Sequence, residues 1–242
     1  MKRYIVVGLL VFFAVLLVTF PARVAYQLFA PPDLRLNGIA GSIWSGSADE
    51  GMAGGAYIRQ IRWRMKPADL FKGQLAFETS ASPAAGSLTT DVAVGLGGNL
   101  TLSDLRGTVP LDLVHPTFQQ EGIRGDLSLQ FTELVIANGL PIVADGAMTI
   151  ANLYAPKLSA GVLGDFRADF TTSGDGVDGS VDDTSGVLDV AGTITISSDR
   201  SYRFVGDVAT RPGAPPSIDQ QLRYLGSADE RGMRQFRFEG QL

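Results

Sequence analysis

The sequence predicts a mainly β protein, in which a single N-terminal transmembrane helix precedes a curved, meandering antiparallel β-sheet, trough-like or open-barrel, with one short C-terminal helix. Residues 4–20 form an uncharged apolar run, and short alternating strands punctuated by glycine recur after residue 33. A helical spacing of apolar residues returns only near residue 220. The predicted divisions are a cytoplasmic stub (1–3), a transmembrane anchor (4–21), a juxtamembrane linker (22–32) and a periplasmic β-rich domain (33–242).

The anchor prediction depends on the length and flanks of the apolar run. Its 17 residues carry no charge, and as a helix they would reach about 26 Å, against a hydrocarbon core of about 27–30 Å in a thin bilayer. Lys2 and Arg3 precede the run, so the positive-inside rule places the N-terminus in the cytoplasm and the rest in the periplasm. A cleaved signal peptide is the alternative. We favour an uncleaved anchor because cleavage after Ala22 would put Phe20 at the −3 position.

Composition excludes several classes of function. Cysteine is absent and His115 is the one histidine, which excludes disulfides, thiol catalysis and a multi-histidine metal site. Of 20 basic residues, 18 remain after Lys2 and Arg3 are set aside, and against 25 acidic residues they give the exported part a net charge of −7. That balance argues against nucleic-acid binding. Glycine, at 29 residues, is about twice as frequent as in average proteins.

Residues 22–30 predict either one or two helical turns near the lipid headgroups or a plain apolar linker. Val24 and Leu28 would share one helical face, and a Pro-Pro pair then ends the segment.

Residues 56–66, AYIRQIRWRMK, alternate with a period of two. They predict a strand with Ile61 and Trp63 on one face, and with Ile58 among the arginines on a basic outer face.

The remainder repeats one device, in which a glycine turn is followed by alternating apolar residues. The spacing of these glycines is irregular, so the pattern predicts a meander of hairpins rather than a solenoid. Residues 217–225, SIDQQLRYL, space their apolar side chains at helical intervals and predict a short helix that Gly226 ends. Residues 172–184, rich in glycine, aspartate and serine, predict a flexible loop. The glycine turns are expected at Gly98, Gly125, Gly146, Gly164 and Gly192.

No reactive centre can be assigned, so we predict no catalytic, cofactor-binding or metal-binding residue and no enzymatic activity. A triad of Ser45, or another serine, with His115 and Asp112 can be written, but His115 is most simply a surface loop residue. The aspartates of residues 175–183 lack the spacing of a calcium-binding loop and most simply form a solvated acidic loop. Phosphate-binding and dinucleotide-binding glycine motifs are absent.

Trp44 and Trp63 leave two interpretations open. They fill the core of the first part of the sheet, or they present aromatic surface to a partner or to lipid near the headgroups, where tryptophan is favoured. The sequence alone does not choose between these roles.

Two motifs follow the anchor in a fixed order. The first is carried by Gly41, Ser42, Ile43, Trp44 and Gly46. The second, W-x-x-x-P-x-x-L-x-x-G-x-L, is carried by Trp63, Pro67, Leu70, Gly73 and Leu75. Further matches are residues 20–22, Leu105, Gly107, Leu111, Gly139, Pro141, Gly146, Gly240 and Leu242. In this order, over most of the chain, they resemble the type II secretion system protein N family, with Ser42 in place of the commoner threonine.

The resemblance implies a single-pass protein of the Gram-negative inner membrane, with its C-terminal domain in the periplasm. It implies an accessory, non-catalytic component of the apparatus that exports folded proteins, with the motif residues contacting other secretion components. A more distant resemblance to AsmA-like proteins implies the alternative function, an anchored trough that binds or transfers phospholipid. A sheet with one apolar face must close, stack on another sheet or be covered by lipid, and the sequence leaves all three open.

Overall fold

The computed structural model describes residues 2–29, 34–53, 56–72, 74–83, 86–95, 97–114, 121–174 and 176–241. Helices α1 (Lys2–Val18) and α2 (Ala22–Phe29) precede the sheet, and α3 (Pro216–Leu222) lies near its C-terminal end. Short 3-10 helices cover Pro67–Lys72, Leu111–Leu113 and Arg223–Leu225. Within the described residues, no helix is both long enough and apolar enough to cross a membrane. The transmembrane anchor at residues 4–21 therefore stays a prediction.

The described strands form one antiparallel sheet of fourteen members. They are β1 (Leu34–Asn37), β2 (Ala40–Gly41), β3 (Ser45–Ala53), β4 (Ala56–Met65), β5 (Leu75–Pro83), β6 (Ser87–Val94), β7 (Leu100–Pro110), β8 (Arg124–Ala137), β9 (Leu140–Tyr154), β10 (Val162–Ser173), β11 (Gly176–Gly186), β12 (Leu188–Ser197), β13 (Ser201–Thr210) and β14 (Arg234–Gln241). From β3 to β14 every strand pairs with the next in sequence, while β1 and β2 both pair with β3. The predicted mainly β antiparallel meander is confirmed, and the sheet is open, with β1 and β14 at its edges.

One face of the sheet is apolar and carries a buried cluster. Residues opposed in register share a face. The rings of Phe131 on β8 and Phe170 on β10 have their centroids 5.9 Å apart, on either side of Gly146 on the strand between them. The trough-like or open-barrel curvature stays a prediction. A line of opposed residues across β7 to β14 reads Leu105, Phe131, Gly146, Phe170, Gly179, Ile194, Phe204 and Phe238.

Glycines within the strands make room for aromatic rings of the neighbouring strand. A Cβ on Gly179 would lie 2.9 Å from Phe170 Cδ1, and one on Gly206 would lie 2.7 Å from Phe236 Cζ. Gly98 does lie in a turn, with φ of +79°. The turn prediction is wrong for four glycines, which lie inside β8, β9, β10 and β12: Gly125, Gly146, Gly164 and Gly192.

A second buried cluster closes one end of the sheet. Ile218 of α3 is 3% exposed and packs with Ala155 and Leu163. The predicted C-terminal helix is thus confirmed, although it begins at Pro216, because proline suits the first helical turn. We call this the α3 end of the sheet.

Residues 172–184 do not form the predicted loop. The described residues of this segment belong to β10 and β11, which pair as a hairpin, and Asp175 lies outside the described residues. Val177 is 1% exposed, so one buried valine and the ring of Phe170 over Gly179 supply the packing that the composition lacked. One of the segment's carboxylates is engaged locally, since Asp178 accepts a hydrogen bond from the Thr195 hydroxyl at 2.8 Å.

The alternation predicted for β4 is interrupted by a bulge. Gln60 has φ of +52°, and the register with β5 shifts between Arg59 and Arg62. Ile58 opposes Gly51, and a Cβ on Gly51 would lie 3.0 Å from Ile61 Cδ1. Ile58 therefore shares the apolar face with Ile61, contrary to the strict alternation.

Candidate functional site

The first sequence motif lies where the N-terminal helices meet the sheet. The indole Nε1 of Trp44 donates a hydrogen bond of 2.8 Å to the carbonyl of Leu17, in the last turn of α1. The backbone N–H of Ile43 donates to the Phe20 carbonyl at 3.1 Å, and that of Met65 donates to the Trp44 carbonyl at 2.6 Å. These bonds tie the end of α1 to β4. We call this the Trp44 end of the sheet, where β3 begins and β4 ends.

Ser42 organises the turn that presents Trp44. Its hydroxyl oxygen accepts the backbone N–H groups of Trp44 at 3.3 Å and Ser45 at 3.2 Å. Its carbonyl accepts the indole N–H of Trp63 at 3.2 Å. Serine and threonine hydroxyls make such local bonds readily, which explains the residue type at this position.

The two glycines of the motif are required by close approaches. Gly41 has φ of +88°, and a Cβ there would lie 2.5 Å from the Ser45 carbonyl oxygen. A Cβ on Gly46 would lie 2.4 Å from Trp63 Cζ2. Neither position accepts a side chain without moving the turn or the Trp63 ring.

Trp44 and Trp63 are both half-buried, and each uses its indole N–H within the chain. They therefore act as donors that hold the junction together, a role that neither sequence interpretation contained. Of the second motif, Pro67 and Leu70 lie in the 3-10 helix that follows β4, with Leu70 exposed, and Gly73 lies outside the described residues.

Helix α2 covers part of the β1 edge. Ala22 is buried, and the hydroxyl of Tyr26 accepts the backbone N–H of Leu36 at 3.0 Å. Val24 and Leu28, predicted to share a helical face, remain exposed. Helix α2 thus packs on the sheet while two apolar side chains stay on its outer surface.

A polar groove of about 430 Å³ opens on the opposite face of β3–β7, beside the Trp44 end. Arg62 and Arg64 are exposed there and make no ion pair or side-chain hydrogen bond with any described residue. Asp91 accepts a hydrogen bond from Lys66, and this bond raises the pKa of Lys66. One row of opposed residues along the groove reads Arg62, Ser80, Thr89 and Arg106. The neighbouring row reads Ser45, Arg64, Glu78 and Asp91.

The groove was missed in the sequence because Arg106 joins Arg62 only through the register of four strands. In the sequence, the alternation of Arg62 and Arg64 indicated a basic face of the strand, but it did not indicate a groove. The bond between Trp44 and Leu17 carried no signal, since a backbone carbonyl acceptor is common to every residue.

The two described residues considered for catalysis, Ser45 and Asp112, do not come together. Ser45 begins β3, and its register row reaches Ser103 on β7. Asp112 lies in the 3-10 helix that follows β7, and the strand from Ser103 to Pro110 alone spans about 23 Å at about 3.3 Å per residue. His115 lies outside the described residues. Among the residues that the structure describes, no group of three or more histidines and carboxylates could hold a metal ion.

Comparison with known proteins gives consistent results. The profile of the family described as "Type II secretion system (T2SS), protein N" matches residues 32–237. A "Type II secretion system protein N" of Aeromonas hydrophila is 25% identical over 264 residues, with all of both chains covered. A protein of the same name from Vibrio cholerae serotype O1 is 28% identical over 261 residues, again with full coverage of both. No solved structure gives a significant match.

The profile covers most of the chain, and it includes both motifs that build the junction with the sheet. This chain therefore belongs to the type II secretion system protein N family.

Proposed function

We propose that the chain is an accessory component of a type II secretion system and acts by protein–protein contact in the periplasm, without catalysing a reaction. Family membership supports the secretion system. The observation that carries the contact mechanism is the edge position of β14, which pairs with β13 on one side and with none of the described strands on the other. A free strand edge is suited to pairing with a strand of a partner.

The two edges of the sheet differ in a way that favours β14. Strand β1 has 4 residues, and the Tyr26 hydroxyl already binds one of its N–H groups. Strand β14 has 8 residues, and Phe238 on it is 56% exposed. A short covered edge resists pairing, whereas a longer edge strand with an exposed ring supports it. The expected partner is another component of the secretion system.

We place the chain at the inner membrane, with residues 4–21 as its anchor and the sheet in the periplasm. Every α1 side chain whose exposure is described is exposed, and from Tyr4 onward none is charged. Such an apolar surface is stable in lipid rather than in water. A helix of 17 residues is slightly short for a bilayer, which can thin locally at modest cost.

Secretion in a strain that lacks this gene, with the rest of the operon intact, tests the proposal. We expect impaired export of some substrates, rescue by the wild-type chain, and no rescue by Phe238→Lys, which puts a charge on the apolar face of the edge strand β14. Val94→Lys is the control, because Val94 is 47% exposed and lies on β6, which pairs with β5 and β7 and is remote from β14 in the strand order. Normal export in the deletion strain would contradict the secretion role. Full rescue by Phe238→Lys would contradict docking through β14.

A second candidate, a lipid-binding trough, is favoured by the incomplete cover on the apolar face. The side chains packed against its central cluster, including Met148 and Phe170, are only partly buried, and α3 packs at one end of the sheet. A photo-reactive amino acid at Met148 should form lipid adducts in cells. One at Gln130, on the opposite face beside Phe131, should form none. Equal labelling at both positions, or none at either, would remove this candidate.

A further inference from the structure

The polar groove beside the Trp44 end has the features of a binding site for a small zwitterion. Among its lining residues, three arginines face three carboxylates, so the lining has no net charge. The Arg62 row carries arginine at both ends, while the neighbouring row carries both carboxylates, Glu78 and Asp91, together with Arg64 opposite Glu78. A ligand with one anionic and one cationic group matches this arrangement.

The Arg62 row is suited to an anion. Arg62 and Arg106 lie three strands apart, about 14 Å, with the hydroxyls of Ser80 and Thr89 between them. Both arginine side chains are long enough to converge above the two hydroxyls. Guanidinium and hydroxyl donors together are the usual partners of a phosphate group. Asp104 is the nearest competitor, and its 3.6 Å contact with Arg106 is solvent-exposed and therefore weak.

The neighbouring row offers a carboxylate for a cation. Asp91 is already hydrogen-bonded to Lys66, but no described cation lies within ion-pair distance of Glu78. Residues two apart on a strand are about 7 Å apart on the same face, so Glu78 and Ser80 lie side by side in adjacent rows. An ammonium group close to a bound phosphate would reach Glu78.

The position of the groove indicates where such a ligand would come from. Ser45 lines the groove and directly follows Trp44, whose indole is bonded to the last turn of α1. The groove therefore opens at the end of the sheet from which the apolar helix leaves. If α1 is the membrane anchor, as the proposed function holds, this end faces the lipid headgroups.

We propose that the groove binds the headgroup of phosphatidylethanolamine, with the phosphate on Arg62 and Arg106 and the primary ammonium on Glu78. The ammonium and phosphate of this headgroup are two carbon atoms apart, which suits adjacent rows. Phosphatidylcholine carries the same phosphate, but its quaternary ammonium has no N–H to donate. The site should therefore prefer phosphatidylethanolamine, and Glu78 should determine that preference.

The test is a calorimetric titration of the full chain, in a neutral detergent, with dihexanoyl-phosphatidylethanolamine, dihexanoyl-phosphatidylcholine and inorganic phosphate. The double variant Arg62→Gln/Arg106→Gln should weaken binding of both lipids by about tenfold or more. Glu78→Gln should weaken binding of phosphatidylethanolamine by about fivefold and leave phosphatidylcholine unchanged. Arg203→Gln, on the same face but paired with Glu239 on distant strands, is the control and should change neither.

Three results would overturn the proposal. Unchanged lipid binding in the double variant would remove the site. Equal weakening of both lipids by Glu78→Gln would remove the role of the ammonium. Inorganic phosphate that binds as tightly as the lipid would indicate a site for free anions or acidic peptides instead. Secretion and thermal unfolding are measured on the same variants, so a failure here is separable from a failure of the secretion role.

Discussion

The bond between Trp44 and Leu17 predicts how firmly the N-terminal helices are held on the sheet. Trp44→Phe removes the indole N–H and keeps most of the ring. A hydrogen bond of this kind contributes about 1 kcal/mol net, so the population with undocked helices should rise about fivefold. Trp44→Ala also removes the half-buried ring, and a cost of about 2 kcal/mol would raise that population about thirtyfold.

Limited trypsin digestion of the full chain measures this population. Arg23 lies within α2, so cleavage there requires that helix to leave the sheet and unfold locally. When opening and closing are fast, the cleavage rate follows the open population. Arg231, in an exposed turn before β14, provides an internal control that should be cut equally in all variants. If both Trp44 variants are cleaved at Arg23 at the wild-type rate, the indole does not hold the junction and the reasoning is refuted.

Three further changes test the packing and polar contacts of the sheet. Gly146→Ala places a Cβ 2.3 Å from a carbonyl oxygen of β8, and we expect a loss of about 1–3 kcal/mol in urea unfolding. Asp183→Ala removes a 3%-exposed carboxylate that lies 2.6 Å from Arg211 Nη2, and should cost about 1.5–3 kcal/mol. Hydrogen bonds from the Asn152 N–H and the Ser185 hydroxyl lower the pKa of Asp165 below 3.8. Its contribution to stability is therefore complete above about pH 5 and lost as the pH falls through the lowered pKa, and Asp165→Asn should abolish that part of the pH dependence.

Matched variants separate these effects from general damage. Gly97→Ala adds a Cβ with no atom within 4 Å and should leave the unfolding midpoint unchanged. Asp182→Ala removes an exposed carboxylate next to Asp183 and should shift stability by less than about 0.5 kcal/mol. If Gly146→Ala is as stable as Gly97→Ala, the close approach of β8 and β9 does not require glycine at residue 146. If Asp165→Asn keeps the wild-type pH profile, other carboxylates determine it.

The meander was predictable because alternation and glycine punctuation are local signals. The register of its strands was not predictable, because register depends on bulges. Gln60 and Asp104 both adopt positive φ without being glycine, and each lies at a register shift. Because of the bulge at Gln60, Ile58 lies on the apolar face, and because of the register shift at Asp104, Arg106 lies in the groove. Strict period-two alternation predicts neither position.

Composition predicted a loop at residues 172–184 and was wrong, because a few contacts with other strands stabilise this polar segment as a hairpin. The segment that contains Gly179 is poor in apolar residues, yet Phe170 from the preceding strand covers that glycine. The short motif around Trp44 was recognisable as unusual, and its glycines and serine are now explained by close approaches and a turn. Its bond to α1 depends on where a helix ends in space, which the residue types do not encode.

The order of pairing has a consequence for biogenesis. Each strand from β4 onward pairs with the strand just before it in the sequence. A strand of the nascent chain can therefore pair as soon as it emerges, because its partner has already been made. The sheet can start at β3 and grow by one strand at a time as the polypeptide emerges, with short loops to close at most steps and a longer connection, through α3, before β14. α3 and β14 arrive last, so the face stays accessible at one side until translocation is complete. A chain interrupted late would therefore be a shorter sheet rather than an unfolded one.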